Sequence, residues 1–290
     1  MTPAHATPPV VLSIAGTDSG GAAGTAADLT TFAALGTHGA CVVTAVTAQD
    51  TTGVRDVHPV PLASVAAQLD AVLEDLPVAA AKTGMLGSAD VVRLVAERLG
   101  GGRLVVDPVL VATSGAVLGG ADVARAYVEH LLPVAAVATP NADEAAALLG
   151  RDGPPCDLAA ALADLGCAVV VTGGPDADSA GETCTDWLAL PGRAARALRH
   201  PALATTNDHG TGCTFSAALA AGLAHDRGHP DHPGDLEAAV ARAGAHTLAA
   251  LRRSRHWQLG RGRGPVAHTT PDPTPTPVRH AHTPSQGALR

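Results

Sequence analysis

An α/β fold, with a mostly parallel central sheet covered by helices on both faces, is what this sequence predicts, on three observations. Short β-branched runs alternate with Ala/Leu-rich helical patterns from residue 10 onward. Hydrophobic residues make up 46% of the 290 residues but aromatics only 2%, so a large core must be built from Ala, Val and Leu. Small, polar or glycine-bearing loops follow each run, as expected where a parallel sheet gathers ligands beyond the carboxyl ends of its strands.

In chain order, the strand candidates are 10–16 (VVLSIAG), 40–48 (ACVVTAVTA), 78–83 (VAAAKT), 103–109 (RLVVDPV), 134–139 (VAAVAT) and 167–174 (CAVVVTGG). Their β-branched content and lengths of a few residues suit buried strands. Helical periodicity covers about 24–35, 62–76, 88–99, 121–131, 142–149, 157–165, 213–225 and 235–252. Ser88 reads as an N-cap, Pro61 as a first-turn residue, and Asn141 with Glu144 as a capping-box pair. Residues 1–8 and 269–290 are Pro/Thr-rich with almost nothing to bury and read as disordered tails around one domain, 9–268.

Several function classes are excluded. A formal charge of −8 without a basic stripe argues against nucleic acid as a partner. No apolar run reaches the roughly 18 residues of a membrane span, and the N-terminus has no leader pattern. The five cysteines, at 41, 156, 167, 184 and 213, form neither a C-x-x-C pair nor a disulfide framework, which suits a cytoplasmic setting. The arginines at 252, 253, 255, 261 and 263 read as a solvated helix end and loop, with an anion contact as the alternative.

The chemistry lies in the loops. In HGTGCTFSAA the turn Gly210-Thr211-Gly212 opens a helix, where free N–H groups and the positive end of the dipole can wrap an anion. Cys213 shares that potential, which would draw its thiol toward the thiolate; the alternative is a buried core cysteine. Asp107 follows a buried strand, where an unpaired carboxylate is costly, so a metal or donor partner is expected. Lys82 is the only lysine in the chain, which points to a specific need or a structural ion pair. Neither G-x-x-x-x-G-K-[ST] nor a G-x-G-x-x-G opening occurs.

Seven blocks, in order and in register, resemble those of the ribokinase-like kinases, and within them the hydroxymethylpyrimidine and phosphomethylpyrimidine kinases of thiamine biosynthesis. They are AGTDSGGAAGTAADLTTFAALGTHG, TAVTAQDTTGV, KTGMLGS, DPVLVATSG, TPNADEAAAL, HGTGCTFSAA and GRGRGPVAH, spanning about residues 10–268. The resemblance implies an ATP- and Mg2+-dependent phosphotransferase acting on a small pyrimidine and on its monophosphate, and a homodimer. It places Cys213 at the catalytic-base position beside the Gly210, Thr211 and Gly212 turn, and Gln49, Ala23, Asp28, Met85 and Val109 around the pyrimidine. Gln49, ending the second strand, carries an amide able to match a ring nitrogen and an amino group. Asp107, Asn141, Glu144, Thr172 and Gly174 fall to the nucleotide, with Glu144 and Asp107 toward Mg2+. Pyridoxal kinase, with the same glycine turn, and a catalytically weak pyrimidine-binding paralogue are the alternatives. The family's usual lysines are replaced by Thr30, Thr113 and Thr172, and a common glutamine by Ala26, which should weaken phosphate binding.

Overall fold

A computed structural model describes residues 7–111, 115, 118–176, 181–226 and 236–269. Thr113 and nearly all of both expected tails lie outside the described residues. The elements run β1 (Val10–Ala15), α1 (Gly24–Ala34), β2 (His38–Val43), β3 (Ala45–Asp50), β4 (Gly53–Pro59), α2 (Leu62–Asp75), β5 (Val78–Thr83), α3 (Ala89–Leu99) and β6 (Leu104–Val106). They continue through α4 (Ala121–Ala126) with a π-helical turn at Tyr127–Leu131, β7 (Val137–Ala138), α5 (Ala142–Leu149), α6 (Pro155–Ala163), β8 (Ala168–Val171), β9 (Thr183–Ala189), β10 (Arg196–Pro201), α7 (Thr211–His225) and α8 (Leu236–Ser254).

Eight strands form one sheet in the order β10-β9-β8-β7-β6-β5-β1-β2. From β8 to β2 all pairs are parallel, while β9 and β10 extend the edge antiparallel. Period-two alternation sorts the strands' side chains into two cores. Leu12, Ile14, Leu104, Val106, Val169 and Val171 pack against α2 to α6 and the π turn. Val11, Val105, Val137 and Val170 pack instead against α1, α7 and α8, where Phe32, Phe215 and Leu219 are the bulkiest partners. The strand sequence reverses direction at β1, which has β2 on one side and β5 on the other, so the switch point where such sheets bind ligands lies at the β1/β5 carboxyl edge.

Three differences from the sequence expectation matter. The run 40–48 is not one strand: it breaks at Thr44, whose N–H bonds the Ala15 carbonyl and whose hydroxyl bonds the Met85 carbonyl at 2.6 Å. Beyond the break, β3 leaves the main sheet and pairs antiparallel with β4, so Gln49 sits on a separate hairpin rather than at the end of a core strand. Strands β4, β9 and β10 were not expected, and β6 and β7 are shorter than their apolar runs, because only Leu104–Val106 and Val137–Ala138 pair with neighbouring strands. Pro61 stands as the N-cap of α2 rather than in its first turn, and α7 starts at Thr211, two residues early. The Ser88 cap accepts from Val91 N, and the Asn141–Glu144 capping box is complete.

Candidate active site

The glycine turn at 210–212 and the loop after β1 are built against each other. Asp18 accepts from the N–H groups of Gly20 (2.8 Å), Ala22 (3.0 Å) and Ala23 (2.9 Å), which curls residues 18–23 into a tight loop. Gly210 is the N-cap of α7 with φ +88°, and a Cβ there would strike the Ala22 carbonyl, so glycine is required on both counts. The N–H groups of Gly212 and Cys213 lie in the first turn, where a helix offers no carbonyl four residues back, and they carry its partial positive charge. The turn is a concave cradle of N–H groups at the switch point.

Beneath it runs a seam of buried charge. Lys82 Nζ, fully buried at the end of β5, donates to Asp28 Oδ1 at 2.8 Å and Oδ2 at 3.1 Å and lies 3.7 Å from Asp107 Oδ2. Ser13 donates to Asp28 at 2.6 Å, and Ser216, one turn after Cys213 on α7, donates to Asp107 at 2.9 Å. Side chains of β1, α1, β5 and α7, with Asp107 just past β6, thus join one network around a single cation. Burial works against the ammonium, but Asp28 foremost, with Cys213 and Asp107, holds its pKa above the ordinary lysine value. Burial pushes both Asp28 and Asp107 up, with Lys82 opposing the rise in each. Asp28 was expected to line the substrate pocket; it is fully buried under the cradle and spends its oxygens on Lys82 and Ser13.

Cys213 sits between cradle and seam, and its expected acidity is not found. Burial pushes the thiol up to about 12, with Asp107 and Asp28 adding to the rise and Lys82 and the Gly24 N–H opposing it. Desolvation outweighs the helix start, so the resting sulfur is a neutral thiol.

Among the residues expected at the nucleotide, Glu144 is 7% exposed and is pushed up to about 8 by burial and by Asp107, while its Oε2 accepts from Asn141 N at 3.0 Å. Thr172 pairs its backbone with Asn141 in an isolated bridge, and Gly174 is exposed beside it. Thr30 is exposed, and its hydroxyl bonds the Ala26 carbonyl of its own helix at 2.7 Å. Met85 is 7% exposed and crowds Gly16, where a Cβ would meet its methyl; Val109 is half-buried and Ala23 caps α1.

Above the cradle, Gln49, Asp50, Thr52, His209, Arg261 and Arg263 line an open cavity of about 380 Å3. Its wall comes from three sources: the tip of the β3–β4 hairpin, His209 before the glycine turn, and residues 261–263. Gly262 is pressed against the Thr51 carbonyl, Gly264 against the Asn207 amide, and His209 exchanges backbone hydrogen bonds with Gly264 O and Val266 N at 3.0 Å each. Arg263 grips both oxygens of Asp208 through its Nε and Nη2, and Arg261 lies 3.9 Å from Asp50, so two of the five arginines enter the cavity wall. The Gln49 amide nitrogen lies 2.9 Å from His209 Nε2. Asp18 and His209 were not singled out from the sequence, although each stood inside a quoted block; a carboxylate or imidazole flanking a glycine turn is the signal that marks them. A second cavity, about 390 Å3, lies at the amino end of the strands by Leu73, Leu99 and Arg103, away from all of this chemistry.

A three-layer α/β sheet with a glycine turn opening a buried helix at its switch point defines the ribokinase-like class of small-molecule kinases. The family model described as phosphomethylpyrimidine kinase matches residues 18–267, and the chain belongs to that family. A hydroxymethylpyrimidine/phosphomethylpyrimidine kinase of Rhizobium meliloti is 46% identical over 267 residues, 89% of this chain and 96% of the relative. Among solved structures, pyridoxal kinase of Bacillus subtilis in its ADP complex has a TM-score of 0.78 at 32% identity, covering 90% of this chain and 97% of its own. Phosphomethylpyrimidine kinase of Clostridium difficile has a TM-score of 0.68 at 31% identity, covering 84% and 99%.

Proposed function

We propose that this chain transfers the γ-phosphoryl group of ATP to the hydroxymethyl oxygen of 4-amino-5-hydroxymethyl-2-methylpyrimidine, and then phosphorylates the resulting monophosphate. The observation that carries the reading is the cradle of Gly210–Cys213 closed by the Asp18-ordered loop, with Gln49 at its rim. The bond from the substrate oxygen to phosphorus forms as the bond from phosphorus to the β–γ bridging oxygen breaks. The Gly212 and Cys213 N–H groups face the charge spreading over the transferred group, an effect worth a few kcal/mol per donor. A neutral Cys213 thiol orients the attacking hydroxyl, and the hydroxyl proton leaves late, once phosphorus has made that oxygen acidic. Gln49, Ala23, Met85 and Val109 hold the ring, and Asn141, Glu144, Thr172 and Gly174 face the nucleotide; Asp28 acts from below, through Lys82.

Structures of related pyridoxal kinases contain ADP or AMP-PCP, which supports ATP as donor. The donor set suits Mg2+ only as an ion shared with phosphates: among the described residues no cluster of three or more His, Cys, Asp or Glu could hold a metal, but Asp107 and Glu144 offer two carboxylates, and Lys82 pairs closely with Asp28 and only loosely with Asp107. Magnesium is commonly bound in this way, by one or two carboxylates, water and substrate phosphate. When bound, it would neutralise charge on the phosphates. Val46 and Val57, exposed on the hairpin, support a homodimer, which light scattering would test. No helix among the described residues is long and apolar enough to cross a membrane, and all five cysteines are free, which supports a cytoplasmic setting.

The TM-scores of 0.77 to 0.79 with pyridoxal kinases favour a second reading, pyridoxal as acceptor. One coupled assay of ADP release, offering hydroxymethylpyrimidine, its monophosphate and pyridoxal in parallel, tests both. The first reading expects the largest kcat/KM with hydroxymethylpyrimidine. Turnover of pyridoxal alone would replace it with the second.

A further inference from the structure

Gln49 on the hairpin and His209 before the glycine turn are 160 residues apart in sequence, yet the amide nitrogen of one lies 2.9 Å from Nε2 of the other. An amide NH2 only donates, so this ring nitrogen is the acceptor and the imidazole carries its proton on Nδ1. His209 is 8% exposed and its backbone is held on both sides by Gly264 and Val266, so the ring is a fixed post.

We propose that His209 is a specificity-determining residue: by taking one N–H of Gln49 it fixes which way that amide faces the acceptor ring. With the NH2 turned to His209, Gln49 offers the ring its carbonyl oxygen and its second N–H. That pair matches the edge of a 4-aminopyrimidine, whose amino group donates and whose adjacent ring nitrogen accepts. A turned amide would set NH2 against the amino group and would suit instead a ring bearing an oxyanion, such as a 3-hydroxypyridine. The inference rests on the reading of Gln49 as the pyrimidine contact.

The geometry also makes the preference dependent on pH. Burial lowers the pKa of His209 and Arg263 adds to this, while Asp18 from the β1–α1 loop and Asp208 beside it oppose. The ring is therefore neutral at neutral pH. Protonation places a hydrogen on Nε2, which then requires an acceptor and turns the Gln49 amide around.

The test is kcat and KM for hydroxymethylpyrimidine from pH 5 to 8 in the wild type, His209→Leu, Gln49→Leu and the double variant. Comparing variants cancels the ionisation of the substrate itself. His209→Leu is expected to raise KM about ten-fold at pH 7.5, with kcat and the KM for ATP little changed, and to lose the wild-type rise in KM at acid pH. The double variant should be no worse than Gln49→Leu, because His209 acts through that amide. A wild-type KM in His209→Leu, or a double variant in which the two losses add, overturns the inference. If His209→Leu does not fold, the acid rise in KM decides: its absence from Gln49→Leu supports the inference and its persistence there overturns it. The parent reading fails separately, by Gln49→Leu itself showing wild-type kinetics.

Discussion

Lys82, Asp28 and Asp107 are at most 5% exposed and come from β5, α1 and the end of β6, whereas Gln49 comes from a hairpin outside the sheet, His209 from the residue before the glycine turn, and Arg261 and Arg263 from the last described turns. The first group, the seam, is charged and dry; the second, the rim, is polar and open to solvent. In the seam each charge depends on the others, because a buried ion without its partner costs far more than the pair contributes. In the rim, backbone contacts such as Gly262 on Thr51 and Gly264 on Asn207 hold the frame, leaving side chains free to select a substrate. Changes in the seam should therefore act on folding and turnover, and changes in the rim on substrate affinity.

Lys82→Met is expected to break the seam most severely. It leaves Asp28 and Asp107 buried without their cation, and loss of about 3–5 kcal/mol is typical when one partner of a buried pair is removed. Urea denaturation measures it. Adding Asp28→Asn should recover part of that loss, because the closest stranded charge is then gone; no recovery would mean that Lys82 serves packing rather than charge.

Cys213 sits where seam meets rim, and Cys213→Ala should lower kcat about 100-fold, the range for a positioned group at the reacting oxygen, with the KM for ATP largely kept because the backbone N–H groups remain. Cys213→Asp should regain part of the rate. The thiol, pushed up to about 12, is also expected to react with iodoacetamide more slowly than an ordinary exposed cysteine at pH 7.5. Fast, selective alkylation of Cys213 would contradict the neutral resting thiol.

Gln49→Leu tests the rim. It removes the polar match to the ring while keeping size, and a fall in kcat/KM of about ten-fold or more for hydroxymethylpyrimidine is expected from a lost buried hydrogen bond. Stability should hardly change, since Gln49 is half-buried on a hairpin outside both cores.

The two regions also differ in how far the sequence reveals them. β5 and α5 fall at their expected bounds, because VAAAKT and the Asn141 cap carry local signals. The cradle was legible too, since Gly210 needs its positive φ whatever packs around it. The seam was only half legible: a lone lysine in an alanine-rich strand is conspicuous, but its partner Asp28 lies 54 residues away. The neutral Cys213 was misread because the helix dipole is local, whereas the desolvation that defeats it comes from what folds over the sulfur. Most of the rim was hidden. The hairpin turns out of the sheet at Thr44 through bonds to Ala15 and Met85, and no periodicity in ACVVTAVTA marks that exit.

The smallest expected effect concerns the anchor of the rim. His268, at the end of the closing segment, meets the Thr214 hydroxyl of α7 at 3.0 Å, tying residues 260–268 to the helix that carries the cradle. Burial lowers its pKa to about 4, helped by His246 and Arg253, against an ordinary value of 6.5. The unfolded chain therefore binds a proton between pH 6.5 and 4 that the folded chain refuses, so this contribution to stability is complete above pH 6.5 and is lost as pH falls toward 4. The site is half-buried, and screening should reduce the loss to the order of 1 kcal/mol, a few degrees in Tm. His268→Gln keeps a polar partner for Thr214 but cannot ionise. Its Tm, followed from pH 7 to 4.5, should fall less steeply than that of the wild type, while Lys82→Met should leave the slope from His268 intact because the seam does not touch it. Equal slopes in wild type and His268→Gln would mean that the closing segment releases the imidazole to water before it charges.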